Sequence, residues 1–142
     1  MIGKIVTGKS FGGAVRYLLG KEPGKAYILT SDGVELTSRQ ALIGSFEFQR
    51  RARPDVERVV GHISLSFHPD DDPRMSNRLM LDLAREYMQR MEITGTQYLV
   101  VRHPDTKHPH LHILYNRVRY DMTLVPDRNE RLRNMRICKE LK

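Results

Sequence analysis

Two hydrophobic periods alternate along this chain, and each change of period marks an element. Ile2 to Thr7 is rich in β-branched residues and reads as a strand. Phe11, Ala14, Val15, Leu18 and Leu19 then follow helical spacing, and Gly20 predicts the end of that helix at 19. Ala26 to Thr30 is a short strand closed by Ser-Asp-Gly, and Thr37-Ser-Arg-Gln40 has the spacing of a capping box for a helix to about Ala52, where Pro54 bars continuation. Val56 to Phe67 predicts a long strand, and Pro69-Asp-Asp-Asp-Pro73 a sharp acidic turn. In the next segment Leu79, Leu83, Tyr87 and Met91 recur every four residues, widened by Met80 and Ala84, which gives an amphipathic helix. Thr96 to His103 and His110 to Arg119 are two strands whose connection suits an antiparallel hairpin. Met122 to Val125 reads as an edge strand. Asn129 to Lys142 begins a basic helix without a C-cap, so residues 1–142 are expected to be one domain truncated in its last helix. Strands and helices mixed in this order predict an α+β fold.

The opening stretch also contains a false lead. From Gly3 it reads GKIVTGKS, which satisfies the spacing of a phosphate-binding loop. Such a loop follows a buried strand, and here only Met1 and Ile2 precede Gly3. Ile5, Val6 and Thr7 fall where the loop would bend, yet they suit a pleated strand. No later apolar run ends in an Asp that would hold magnesium, since Tyr98-Leu-Val-Val-Arg-His ends in Arg and His. The ATPase reading fails, and Lys9, Ser10 and the helix behind them need another purpose.

Composition sharpens the picture in two respects. The formal net charge of +7 favours a polyanionic partner, nucleic acid first. A single cysteine, Cys138, excludes an internal disulfide and a Cys-rich zinc site, and no apolar segment is long enough to cross a bilayer. A cytoplasmic location is expected.

The chemistry concentrates in one place. Four of the six histidines lie between His103 and His112. On a strand, His110 and His112 point to one face, with Leu114 and Asn116 continuing the row and Leu111, Ile113 and Tyr115 opposite. A hairpin brings His103 beside the pair. Three neutral imidazoles leave coordination positions open for a substrate oxygen, as metal-assisted chemistry requires. The alternatives are a structural zinc, which wants four closed ligands, or histidines that merely brace the turn. His108, between two prolines, is a substitute ligand or a phosphate contact.

Taken together, GKSFGGAVRYLLGKE, HISLSFHPDDD and RHPDTKHPHLHILYNRV resemble the HUH endonucleases, and among them the relaxases, the mobilisation nucleases of plasmids and integrative elements. In the sister class of rolling-circle initiators the tyrosine follows the histidine pair, whereas Tyr17 precedes it. The resemblance implies a central antiparallel sheet flanked by helices. It implies metal-dependent nicking of single-stranded transfer-origin DNA through a 5'-phosphotyrosine link, with accessory mobilisation proteins and a coupling protein as further partners. Carried over by residue, Tyr17 is the nucleophile, with Tyr27 its competitor. His103, His110 and His112 hold a divalent ion, Mg2+ or Mn2+. Asp105 orients a histidine or assists the tyrosine proton, with Asp71 a weaker candidate. Lys9, Arg16, Ser66, His68 and Asn116 are the expected DNA contacts. The help is needed, because a phenol of pKa about 10 is a poor nucleophile alone.

Two rival functions stay open at this level. His62-Ile-Ser64 resembles half of the paired motif of two-histidine RNA phosphoesterases, but neither His110-Leu-His112 nor His103-Pro-Asp105 supplies the second hydroxyl. The other rival is a non-catalytic DNA-binding module whose metal pins the hairpin. The basic runs Gln49 to Arg53 and Arg128 to Lys142 fit either a DNA groove or solvated helix faces.

Overall fold

A computed structural model describes residues 1–20, 26–103 and 109–141. The elements are β1 (Ile2–Gly8), α1 (Phe11–Leu19), β2 (Tyr27–Asp32), α2 (Arg39–Arg50), β3 (Val60–Ser66), α3 (Asn77–Arg90), β4 (Tyr98–His103), β5 (His110–Asn116) and α4 (Glu130–Glu140). The strands form one sheet in the order β1-β3-β5-β4-β2, and every neighbouring pair is antiparallel. This is the α+β architecture expected from the sequence. The would-be phosphate loop is strand β1, paired along its whole length with β3.

Strand alternation divides the core in two. On one face Val60, Leu99, Val101 and Leu114 pack against Phe11, Val15 and Leu18 of α1 and Leu42 and Phe46 of α2. Opposite, Ile63, Leu65, Val100, Leu111, Ile113 and Tyr115 pack against Met80, Ala84, Tyr87 and Met88 of α3 and Ile137 and Cys138 of α4. The histidine face of β5 is therefore the face that carries α1.

The boundaries of α1 have local causes. Ser10 accepts from the Gly13 N–H at 3.0 Å, and Gly20, at φ 68°, closes the other end by donating to the Arg16 carbonyl at 3.1 Å. The cap of α2 is Ser38, bonded to the Ala41 N–H at 3.0 Å, one residue later than a box begun at Thr37. The acidic turn is a 3-10 helix over Pro69–Arg74. Three strands are shorter than their hydrophobic pattern suggests: β3 starts at Val60, β4 starts at Tyr98 and β5 stops at Asn116. Met122 to Val125 forms no strand, only an isolated bridge between Val118 and Leu124. On α3 the deepest residues are Met80, Ala84, Tyr87 and Met88, while Leu83 is half-buried at the margin.

Gly61 is required by a neighbour. Its cross-strand partner is Tyr115, and a Cβ at position 61 would run into that buried ring. Gly61→Ala is expected to destabilise the fold by roughly 1–3 kcal/mol through overpacking. Thermal or urea unfolding checks this, and a further change of Tyr115 to Leu should recover part of the loss.

Candidate functional site

Register assembles the site from distant parts of the chain. His110 pairs with His103 across β4–β5 and with Ser66 across β3–β5, while His112 lies between Val101 and Ser64. His103, His110 and His112 each present a ring nitrogen, and these three atoms lie within 4.8 Å of one another. Ring centroids are 5.4 Å apart for His103 and His110, 4.7 Å for His103 and His112, and 5.0 Å for His110 and His112.

Two hydrogen bonds orient the rings. His103 Nε2 lies 2.7 Å from the Leu18 carbonyl. A carbonyl can only accept, so Nε2 carries a proton, and in the neutral ring the lone pair is on Nδ1. Leu18 is in the last turn of α1, where carbonyls lack helical partners, so His103 also caps the helix that bears Tyr17. His112 Nδ1 lies 2.8 Å from His62 Nε2. Burial, and then the neighbouring imidazoles, push His112 down to about 3, and burial together with His103 lowers His62. The neutral forms share that bond. If His112 donates from Nδ1, its Nε2 is free to bind an ion. The donor set thus fits a divalent cation: three imidazoles, with the second nitrogen of His103 and of His112 already held.

Tyr17 stands over this cluster. It is 67% exposed, and its ring centroid lies 5.9 Å from that of His62 and 6.1 Å from that of His112, both edge-on. Tyr27, the competing nucleophile, pairs with Arg102, which in turn pairs with Leu111. That puts Tyr27 on the opposite face of the sheet, away from the histidines.

The remaining expected residues divide. Lys9 and Arg16 are exposed at the start and on the outer side of α1, and Lys9 makes a loose pair with Glu57 at 3.7 Å. Ser66 is half-buried beside His110. His68 is exposed and turned into its own loop, accepting from the Asp70 N–H at 3.1 Å. Asp71 is engaged by Arg74 at 2.6 Å. Asp105 and His108 lie outside the described residues. Asn116 needs correction as a DNA contact. It is fully buried, its amide donating to the Phe46 carbonyl at 3.2 Å and Gln97 Oε1 at 3.1 Å, its oxygen accepting from the Val118 N–H at 3.0 Å. Gln97 extends this bracing to the carbonyls of Gly33 and Ser45. Arg50 and Arg53 of the first basic run are also committed internally, to the Lys9 carbonyl and to Asp55. Within the second run, Glu130–Glu140 form α4, behind the sheet.

A family model described as relaxase, MobA/VirD2-like, nuclease domain matches residues 17–142. The chain belongs to this relaxase family. No curated protein and no solved structure matches it. Among the described residues of the relaxase domain no helix is long and apolar enough to cross a membrane.

His62, considered in the sequence only as half of a rival phosphoesterase motif, lies against His112. Its bond to His112 fixes the orientation of that ring. His62→Leu is expected to weaken Mn2+ binding by about tenfold or more, with His62→Gln recovering part of the loss because its amide oxygen can accept the same bond. Calorimetric titration of Mn2+ into each variant checks this, with unfolding curves in the absence of metal as the control for folding.

Proposed function

We propose that this relaxase domain nicks single-stranded DNA at a transfer origin, with Tyr17 as nucleophile and His103, His110 and His112 holding a divalent ion. The observation that carries this reading is the exposed Tyr17 ring beside three imidazole donors on one face. A bound ion would polarise the scissile phosphate and neutralise its charge. Tyr17 Oη attacks phosphorus, the bond from phosphorus to the 3' oxygen breaks, and the phenolic proton leaves while the 3' oxygen takes one up. The products are a 5'-phosphotyrosine link and a free 3'-hydroxyl. One phosphoester replaces another, so the reverse reaction can rejoin the strand, as mobilisation of an element requires. His103 secures the end of α1 and so holds Tyr17 over the cluster, and His62 fixes the ring of His112. Lys9 and Arg16 offer phosphate contacts that set strand position without reading sequence. Of the two ions expected, the all-imidazole donor set favours Mn2+, because Mg2+ prefers oxygen ligands.

Incubation with transfer-origin oligonucleotides, with and without Mn2+, tests the proposal. The expected result is an ion-dependent protein–DNA adduct that survives denaturation and a released strand that a polymerase can extend. Cleavage without an ion would instead favour the two-histidine phosphoesterase reading, and ion-dependent binding without cleavage would favour a binding module.

A further inference from the structure

The cross-strand register continues the histidine face outward to β1. Val6 lies beside His62, Lys4 beside Ser64 and then His112, and Ile2 beside Ser66 and then His110. Helices α1 and α2 cover this face over β4, β5 and the start of β3. They leave its β1 side open. Ile2 is 74% exposed and Val6 49% exposed, Lys4 is exposed between them, and Ser64 and Ser66 are half-buried. The result is a strip roughly 14 Å long, four residue steps of an antiparallel strand. Two β-branched side chains flank a lysine, two hydroxyls line the inner margin, and the strip adjoins His62, which faces Tyr17, and, through the serines, His110 and His112.

We infer that this strip, Ile2, Lys4 and Val6 with Ser64 and Ser66, is the floor on which the nucleotides next to the scissile phosphate dock. The inference rests on the proposed nicking reaction and names its DNA surface. A single strand presents alternating phosphates and apolar base faces, which is the chemistry offered here: Lys4 and the serine hydroxyls for the backbone, Ile2 and Val6 for bases and sugars. The charge is complementary, and the strip is continuous with the reacting centre. Lys4 also blunts β1 as an edge strand, which disfavours pairing with a second chain. The strip lacks aromatic side chains, so base contact is by apolar packing rather than stacking. That chemistry tolerates many sequences and recognises a thymine methyl at most.

Affinity for a fluorescent single strand, measured by anisotropy in EDTA over a range of salt, separates the two contributions. Lys4→Ala is expected to reduce the slope of log affinity against log salt by about 0.7, one phosphate contact on a single strand. Ile2→Ser with Val6→Ser is expected to weaken binding by about tenfold and leave the slope unchanged, since neither changes charge. All three positions are exposed, and calorimetric Mn2+ affinity and unfolding midpoints should match the wild type. Wild-type affinity and slope in both variants would overturn the strip while leaving the nicking reaction standing. If the wild-type protein binds no single strand, both fall. Self-association of the wild type that these substitutions abolish, with DNA affinity unaltered, would assign the strip to a second copy of the chain and overturn the inference.

Discussion

Tyr17→Phe is expected to eliminate the covalent adduct and to lower the nicking rate by a factor on the order of 10^4 to 10^6, the scale seen when an enzyme loses its nucleophile. Single-strand affinity should stay within about twofold, because binding is dominated by distributed phosphate contacts that this change leaves in place. Folding should be unaffected. Tyr17 is 67% exposed, and loss of one hydroxyl at an exposed position is usually worth less than about 0.5 kcal/mol. Tyr27→Phe is the matched control, with full activity expected, since Tyr27 shares its face with Arg102 and Leu111. Quantifying adduct and free 3' ends for both variants checks the pair of expectations.

Loss of a histidine ligand should have the second largest effect. His110→Ala is expected to weaken Mn2+ binding by at least about a hundredfold and to reduce nicking in proportion at limiting ion, with single-strand binding retained. His103→Ala should be worse at saturating ion. Its ring donates to the Leu18 carbonyl as well as facing the cluster, so its removal also frees the end of the helix that presents Tyr17. A plot of nicking rate against Mn2+ concentration distinguishes them: His110→Ala mainly shifts the midpoint, whereas His103→Ala also lowers the plateau. Equal plateaus would remove His103 from the positioning of α1.

The contrast between these residues shows how far the sequence reaches. Helix α1 is legible to the residue because a Ser cap and a terminal Gly act within one turn of the chain. The alternation of β5 likewise assigns His110 and His112 to one face and Leu111, Ile113 and Tyr115 to the other, as the two halves of the core confirm. The same rule misleads at Asn116. A strand face is not uniform along its length, and α2 covers the end that holds Asn116 while the end that holds His110 stays partly open. Strand ends are overestimated because the hydrophobic pattern runs on past the last ladder pair, Val60 with Asn116, into residues held by single bonds. Arg117 still donates to the Val59 carbonyl at 2.8 Å after the β3–β5 ladder has stopped. His62 is out of reach for a different reason. Its contact with His112 depends on the register between strands whose partners are fifty positions apart, and periodicity does not fix register between them. The strip on β1 depends on the same register, together with a sheet order that puts β1 outside β3.

Mapping the adduct is the most direct test of the nicking mechanism. A transfer-origin strand is incubated with the wild-type protein and Mn2+, the complex is digested with nuclease and protease, and the modified peptide is sequenced by mass spectrometry. The expected product is a single 5'-phosphonucleotide on the Tyr17 phenol. Modification of Tyr27 or of a serine, attachment through a 3'-phosphate, or cleavage with no linked peptide would contradict it.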